Sequence, residues 1–92
     1  MSTHVEHNSQ DQEFTIQQDG FSGELAYSKP QSSVIDFTHT FVAEELRGKG
    51  LAEELAKAGL AYARQESLKV KTSCEFMAGY VRQHPEYQDI LA

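Results

Sequence analysis

The chain has one cysteine, Cys74, in 92 residues. An internal disulfide is therefore excluded, and the composition suits a reducing compartment. No apolar run approaches the roughly 20 residues that a bilayer-spanning helix needs. The opening stretch MSTHVEHNSQ has no apolar secretory core, so the reading is a cytoplasmic protein with no membrane partner. Basic residues are scarce: eight Lys and Arg against fourteen Asp and Glu leave a formal charge of −6. That balance argues against general nucleic-acid binding, which needs a basic face. An acidic surface serves solubility or, less often, a cationic substrate such as an amine. Metal binding has no support, because His4, His7, His39 and His84 make no ligand spacing with Cys74. A chain of this length has room for one domain, 1–92, and one core.

What is present is patterned. Residues 1–10 are polar and fray at the start, although HVEHN can join an edge strand. From Glu13 to Gln17, Phe14 and Ile16 alternate with polar residues, the period-two signature of a half-buried strand. Asp19-Gly20 signals a hairpin. A second strand through Leu25 and Tyr27 closes at SKPQSS, a turn cluster around Pro30. VIDFTHTFV, Val34 to Val42, is the best strand in the chain. Strict alternation puts Ile35, Phe37, His39 and Phe41 on one face and Val34, Asp36, Thr38, Thr40 and Val42 on the other. Both faces carry apolar weight, which predicts a central strand covered on each side.

Leu51, Leu55, Ala58 and Tyr62 recur at helical spacing, predicting a helix from about Gly50 to about Glu66. Glu53 and Lys57 form an i, i+4 pair on its wet side. LKVKTSC reads as a strand on which Val70, Thr72 and Cys74 share a face. A short helix over Glu75 to Arg82 follows, stopped by His84-Pro85, and EYQDILA adds one turn. The order is three antiparallel strands, long helix, strand, short helix. The link from Val34 to Cys74 makes a right-handed parallel crossover. The fold class is therefore α/β in content and α+β in layout, with a mixed sheet.

Gly48 and Gly50 stand beside Arg47 and Lys49 where a helix usually begins with Ser, Thr, Asp or Asn. A glycine-rich turn there can aim several N–H groups, unpartnered within the helix, at one spot. The helix dipole adds positive charge, so the place attracts phosphates. A Walker A loop is absent, and G-x-G-x-x-G would need glycine at Glu53. The plain alternative is a flexible turn with incidental charges.

RGKGLA, Arg47 to Ala52, fits R-x-x-G-x-A and resembles the acetyl-CoA motif of the GNAT superfamily of N-acetyltransferases. HTFVAEELRGKGLAEEL, AYAR, the strand ending in Cys74, Tyr80 and HPEY at 84–87 are similar to its very small single-domain branch. The resemblance spans His39 to Tyr87. It implies a minimal GNAT-like fold: a mixed, mostly antiparallel central sheet with one long and one short helix. The parts that normally wall the acceptor pocket are missing. Acetyl-CoA (coenzyme A) would enter the V between the Val34–Val42 strand and the Lys69–Cys74 strand. Pantetheine would pair with backbone near Phe41 and Val42, and the diphosphate with N–H groups of Arg47, Gly48, Lys49, Gly50, Leu51 and Ala52. The acceptor would be an amine, on a small molecule or a protein, which the chain does not name. Exposed strand edges allow a monomer or a weak homodimer.

Three residues are catalytic candidates under that resemblance. Tyr80 could protonate the departing thiolate, or simply pack as an aromatic. Cys74 stands where the small branch has a cysteine regarded as an active-site residue. A helix start favours the thiolate, so Cys74 either lines the site or forms an acetyl intermediate; the alternative is a small buried apolar residue. His39 could act as general base, or be a hydrogen-bonded core residue on an apolar face. Glu44, Glu45, Glu53 and Glu54 read as solvated flank charges. The rival functions are a non-catalytic CoA or acyl-CoA binding module and a small interaction domain.

Overall fold

Alternating residues in the first half of the chain build an antiparallel meander, and the computed structural model describes residues 4–92. The strands are β1 (Val5–Asn8), β2 (Glu13–Gln18), β3 (Phe21–Gln31) and β4 (Val34–Val42). A 3₁₀ turn at Glu44–Leu46 leads to helix α1 (Leu51–Gln65), then to β5 (Lys69–Thr72), α2 (Glu75–Gln83) and a final 3₁₀ turn at Pro85–Ile90. The sheet runs in sequence order, β1-β2-β3-β4-β5, with β5 parallel to β4 and every other pair antiparallel. The mixed, mostly antiparallel α+β layout expected from the pattern is the one found. HVEHN does supply an edge strand, so four antiparallel strands precede α1 where three were expected. Of residues 1–10, expected to fray at the start, residues 1–3 lie outside the described residues.

Local chemistry accounts for most boundaries. Asp19 and Gly20 both take positive φ, 55° and 80°, the twist a two-residue hairpin turn needs. Strand β3 continues past Pro30 to Gln31, beyond the turn expected at SKPQSS. Proline is tolerated there because the ladder with β4 is irregular between Ser28 and Gln31. Lys57 lies 3.7 Å from Glu54, not paired with Glu53 as the i, i+4 spacing suggested. The tail forms a longer 3₁₀ turn than the single turn expected.

Helix α1 lies across one sheet face. Leu51, Leu55, Ala56, Leu60 and Ala63 bury against Phe14, Ile16, Leu25, Tyr27, Ile35 and Phe37. Gly59 allows the closest approach, since a Cβ there would stand 2.8 Å from the Phe37 ring. Met77, Tyr80 and Val81 of α2 complete the same core. Among the described residues, no helix is long and apolar enough to cross a membrane.

The expectation of a β4 covered on both sides fails beyond Phe37. Ala26 pairs with His39 but Tyr27 pairs with Phe37, so β4 advances two residues while β3 advances one. Thr38 is the extra residue of a β-bulge, which flips the alternation after it. Thr40 then faces the helices beside Leu25, while His39 and Phe41 turn to the uncovered face beside Ala26 and Glu24. His39 is exposed there and does not share the buried face of Ile35 and Phe37.

Candidate functional site

Strands β4 and β5 separate halfway. Their parallel register runs only from Val34↔Lys69 to Phe37↔Thr72. The last main-chain link is the Cys74 N–H donating to the Phe37 carbonyl at 2.9 Å. Strand β5 ends at Thr72, so Cys74 is not a strand residue sharing a face with Val70; it is the first flanking residue of α2, in extended conformation. Among the described residues, the outer edge of β4 has no strand partner from Thr38 to Val42. The Ala43 N–H donates to Ser22 at 3.1 Å. Alternation along an antiparallel ladder then turns the main-chain groups of Val42 and Thr40 to the open edge and those of Phe41 toward β3. The Phe41 ring itself is 46% exposed on the uncovered face.

At the wide end of this split, α1 begins without a cap. Gly50 occupies the cap position at φ 76°, no side chain bonds the first turn, and Gly48 sits at φ 82°. The first helical bond runs from the Glu54 N–H to the Gly50 carbonyl. Among the described residues, no acceptor bonds the six N–H groups from Gly48 to Glu53. They border a cleft of about 430 Å³ lined by Val42, Leu46, Arg47, Gly48, Gly50, Leu51, Ala52 and Glu53. A Cβ at Gly48 or Gly50 would meet nothing within 4 Å. Glycine is thus needed for its left-handed backbone, and the space beside it is free. Arg47 donates Nε to the Val42 carbonyl at 3.1 Å, which ties the loop to the strand end. Lys49 leans out of the lining, 3.8 Å from Asp19 of the β2–β3 turn.

At the vertex, Cys74 is half-buried with Sγ 3.1 Å from Thr40 Oγ1. Thr40 was assigned to the opposite face by strict alternation, and nothing in a β-branched run announces the bulge that brings it here. Tyr80, on α2, is 7% exposed and stacks on His84 at 4.1 Å between ring centres. Burial first, then Tyr87 and the carboxylates of Glu86 and Glu53, pushes its phenol up to about 12. It therefore keeps its proton at neutral pH. Glu53 also lines the cleft, which ties Tyr80 to the same end of the molecule. One side of the sheet thus gathers Val42, Arg47, Gly48, Gly50, Leu51, Ala52, Cys74 and Tyr80, while His39 and Phe41 stand on the other. Among the described residues, no group of three His, Cys, Asp or Glu side chains could hold a metal ion.

Residues 13–90 match the family model for GCN5-related N-acetyl-transferase. Protein NATD1 of Gallus gallus is 34% identical over 83 residues, 88% of this chain and 76% of that protein. Protein NATD1 of Homo sapiens is 34% identical over 83 residues, 88% of this chain and 74% of that protein. A GCN5-like protein from Staphylococcus aureus, solved by NMR in solution, superposes with a TM-score of 0.77 at 28% identity. That match covers 97% of this chain and 87% of the other.

Proposed function

We propose that this chain, which belongs to the GCN5-related N-acetyltransferase family, moves an acetyl group from acetyl-CoA to an amine in the cytoplasm. One observation carries the reading. Six consecutive N–H groups, without acceptors among the described residues, border a cleft that shares Val42 with the open edge of β4. Such a run at a helix start suits a diphosphate, with Arg47 beside it and Lys49 strengthening the positive field. The main-chain groups of Thr40 and Val42, about 7 Å apart along an extended strand, suit the amides of a pantetheine arm. An arm bound this way ends at the vertex, against Cys74 and Thr40.

Acetyl-CoA supplies an activated thioester; the chain supplies position and protons. Cys74 lines the acetyl end. Tyr80 keeps a proton at Oη for the sulfur, acting late, because a phenol near 12 is a weak acid. His39 takes the proton of an amine that arrives across the uncovered sheet face. A non-catalytic CoA-binding role is the second reading, favoured by that same face, where the Phe41 ring is left 46% exposed.

Titration with CoA, followed by calorimetry and amide chemical shifts, tests both readings. Heat, and shifts centred on Gly48–Glu53 and extending through Val42 and Thr40 to Cys74, are expected. Thiol release from acetyl-CoA with at least one amine from a panel then marks the enzyme. Binding without release leaves the second reading, and no shift at the loop removes both.

A further inference from the structure

We infer that Thr40 and Asp36, two residues of β4, are positioning residues that hold the Cys74 thiol in one orientation at the vertex of the split. The kinetic consequence rests on the acetyl-transfer reading above; the geometry does not. Asp36 takes both polar groups of Ser73: Oδ1 accepts its N–H at 3.1 Å and Oδ2 accepts its hydroxyl at 2.8 Å. Phe37 accepts the Cys74 N–H at 2.9 Å. Thr40 Oγ1 meets Sγ at 3.1 Å. The Ser73-Cys74 turn is therefore gripped from three residues of β4, on both sides of the bulge.

Two features set this apart from routine closure of a strand-to-helix turn. A serine beside a helix start usually bonds the first-turn N–H groups. Here Ser73 gives its hydroxyl to Asp36, and the cap position belongs to Cys74, whose side chain makes no cap bond. Helix α2 forgoes a cap while the thiol is turned to β4. The bulge supplies the second feature. In an unbroken strand Thr40 would share the face of Asp36 and point away from Cys74. The extra residue Thr38 rotates it onto the face of Phe37, where its hydroxyl reaches the sulfur. Whichever atom donates, the contact selects one rotamer of Cys74.

Thr40→Val removes the hydroxyl with little change of shape, and Thr40→Ser restores it. Asp36→Ala releases Ser73, and Asp36→Asn keeps an acceptor for its N–H. Three-bond couplings at Cys74 should report one rotamer in the wild type, Thr40→Ser and Asp36→Asn, and averaging in Thr40→Val and Asp36→Ala. With acetyl-CoA and an accepted amine, Thr40→Val should lower kcat roughly tenfold with KM for acetyl-CoA unchanged, because loss of alignment acts on the bound state. Thr40→Ser should recover it. A single Cys74 rotamer persisting in Thr40→Val, or equal kcat losses in both Thr40 variants, overturns the assignment. If the wild-type chain acetylates no amine, the transfer reading falls, and the couplings alone decide the positioning role.

Discussion

The two ends of α1 are built on opposite terms. At the carboxyl end the carbonyls of Tyr62, Ala63 and Arg64 are all used. Ser67, in the left-handed region at φ 58°, sends its N–H to Arg64, and Leu68 sends its N–H to Ala63, a Schellman closure with Leu68 buried over it. Arg64 then forks onto Asp89 at 2.7 and 3.0 Å, reaches the Glu86 carbonyl at 2.9 Å and lies over the Tyr87 ring. At the amino end the cap is a bare glycine and six N–H groups have no acceptor among the described residues. One small chain thus seals one terminus of its main helix and leaves the other open. Helix ends commonly find partners, so the open end is where an outside ligand gains most.

The strongest way to break this contrast is to put a side chain into the open end. Gly50→Val forces a β-branched residue to φ 76° and projects it into free space beside the loop. CoA affinity should fall by roughly 100-fold as the N–H groups lose their common aim. Gly20→Val is the matched control, with φ 80° and equally open space, but in the β2–β3 turn. It should lose comparable stability and keep CoA affinity, both read by calorimetry.

The ends should also fail at opposite ends of the pH scale. Tyr80, on the open side, has its phenol raised from 10.0 to about 12. A raised folded-state value favours the protonated group, so its contribution is full below pH 10 and lost as pH climbs through about 12. Absorbance titration of the tyrosinates should lose its most alkaline step in Tyr80→Phe. At the sealed end, relief of strain should show directly. Ser67→Gly should raise stability by about 0.5–1 kcal/mol, because ~1–2 kcal/mol of left-handed strain exceeds the ~0.5–1 kcal/mol entropy cost of glycine. A higher denaturant midpoint at unchanged slope is the sign.

The smallest effect belongs to the Arg64–Asp89 fork, which solvent screens. The hydrogen bond from Arg64 holds the Asp89 carboxyl below 3.8. Its contribution is present above that value and disappears as pH falls through the lowered one. Asp89→Asn should therefore narrow the stability difference between neutral and strongly acid pH, measured by thermal melts in low salt.

Legibility followed the range of the forces involved. The helix expected from about Gly50 to Glu66 runs Leu51–Gln65, because apolar spacing and glycine placement act within a few residues. Val34–Val42 was readable as a strand to its ends, and Asp19-Gly20 as the turn between β2 and β3. The glycine loop was readable too, since positive φ is written into residue type. Half of the vertex was not. Cys74 could be singled out by position, but Thr40 could not, because the two are 34 residues apart and meet through a bulge that depends on pairing with β3. His39 and Phe41 were misassigned for the same reason. Asp36 and Ser73 looked like ordinary polar residues until the parallel pairing of β4 and β5 set them side by side.

By itself, then, the sequence determined the order of elements, the periods that make them strand or helix, and the unguarded glycines at the start of α1. Those are properties of short stretches, set by backbone sterics and the spacing of apolar residues. Tertiary structure decided which face each β4 residue presents, where β4 and β5 part, and which hydroxyl meets the thiol. Register and bulges arise from pairing between distant segments, and a shift of one residue exchanges every inward side chain for an outward one.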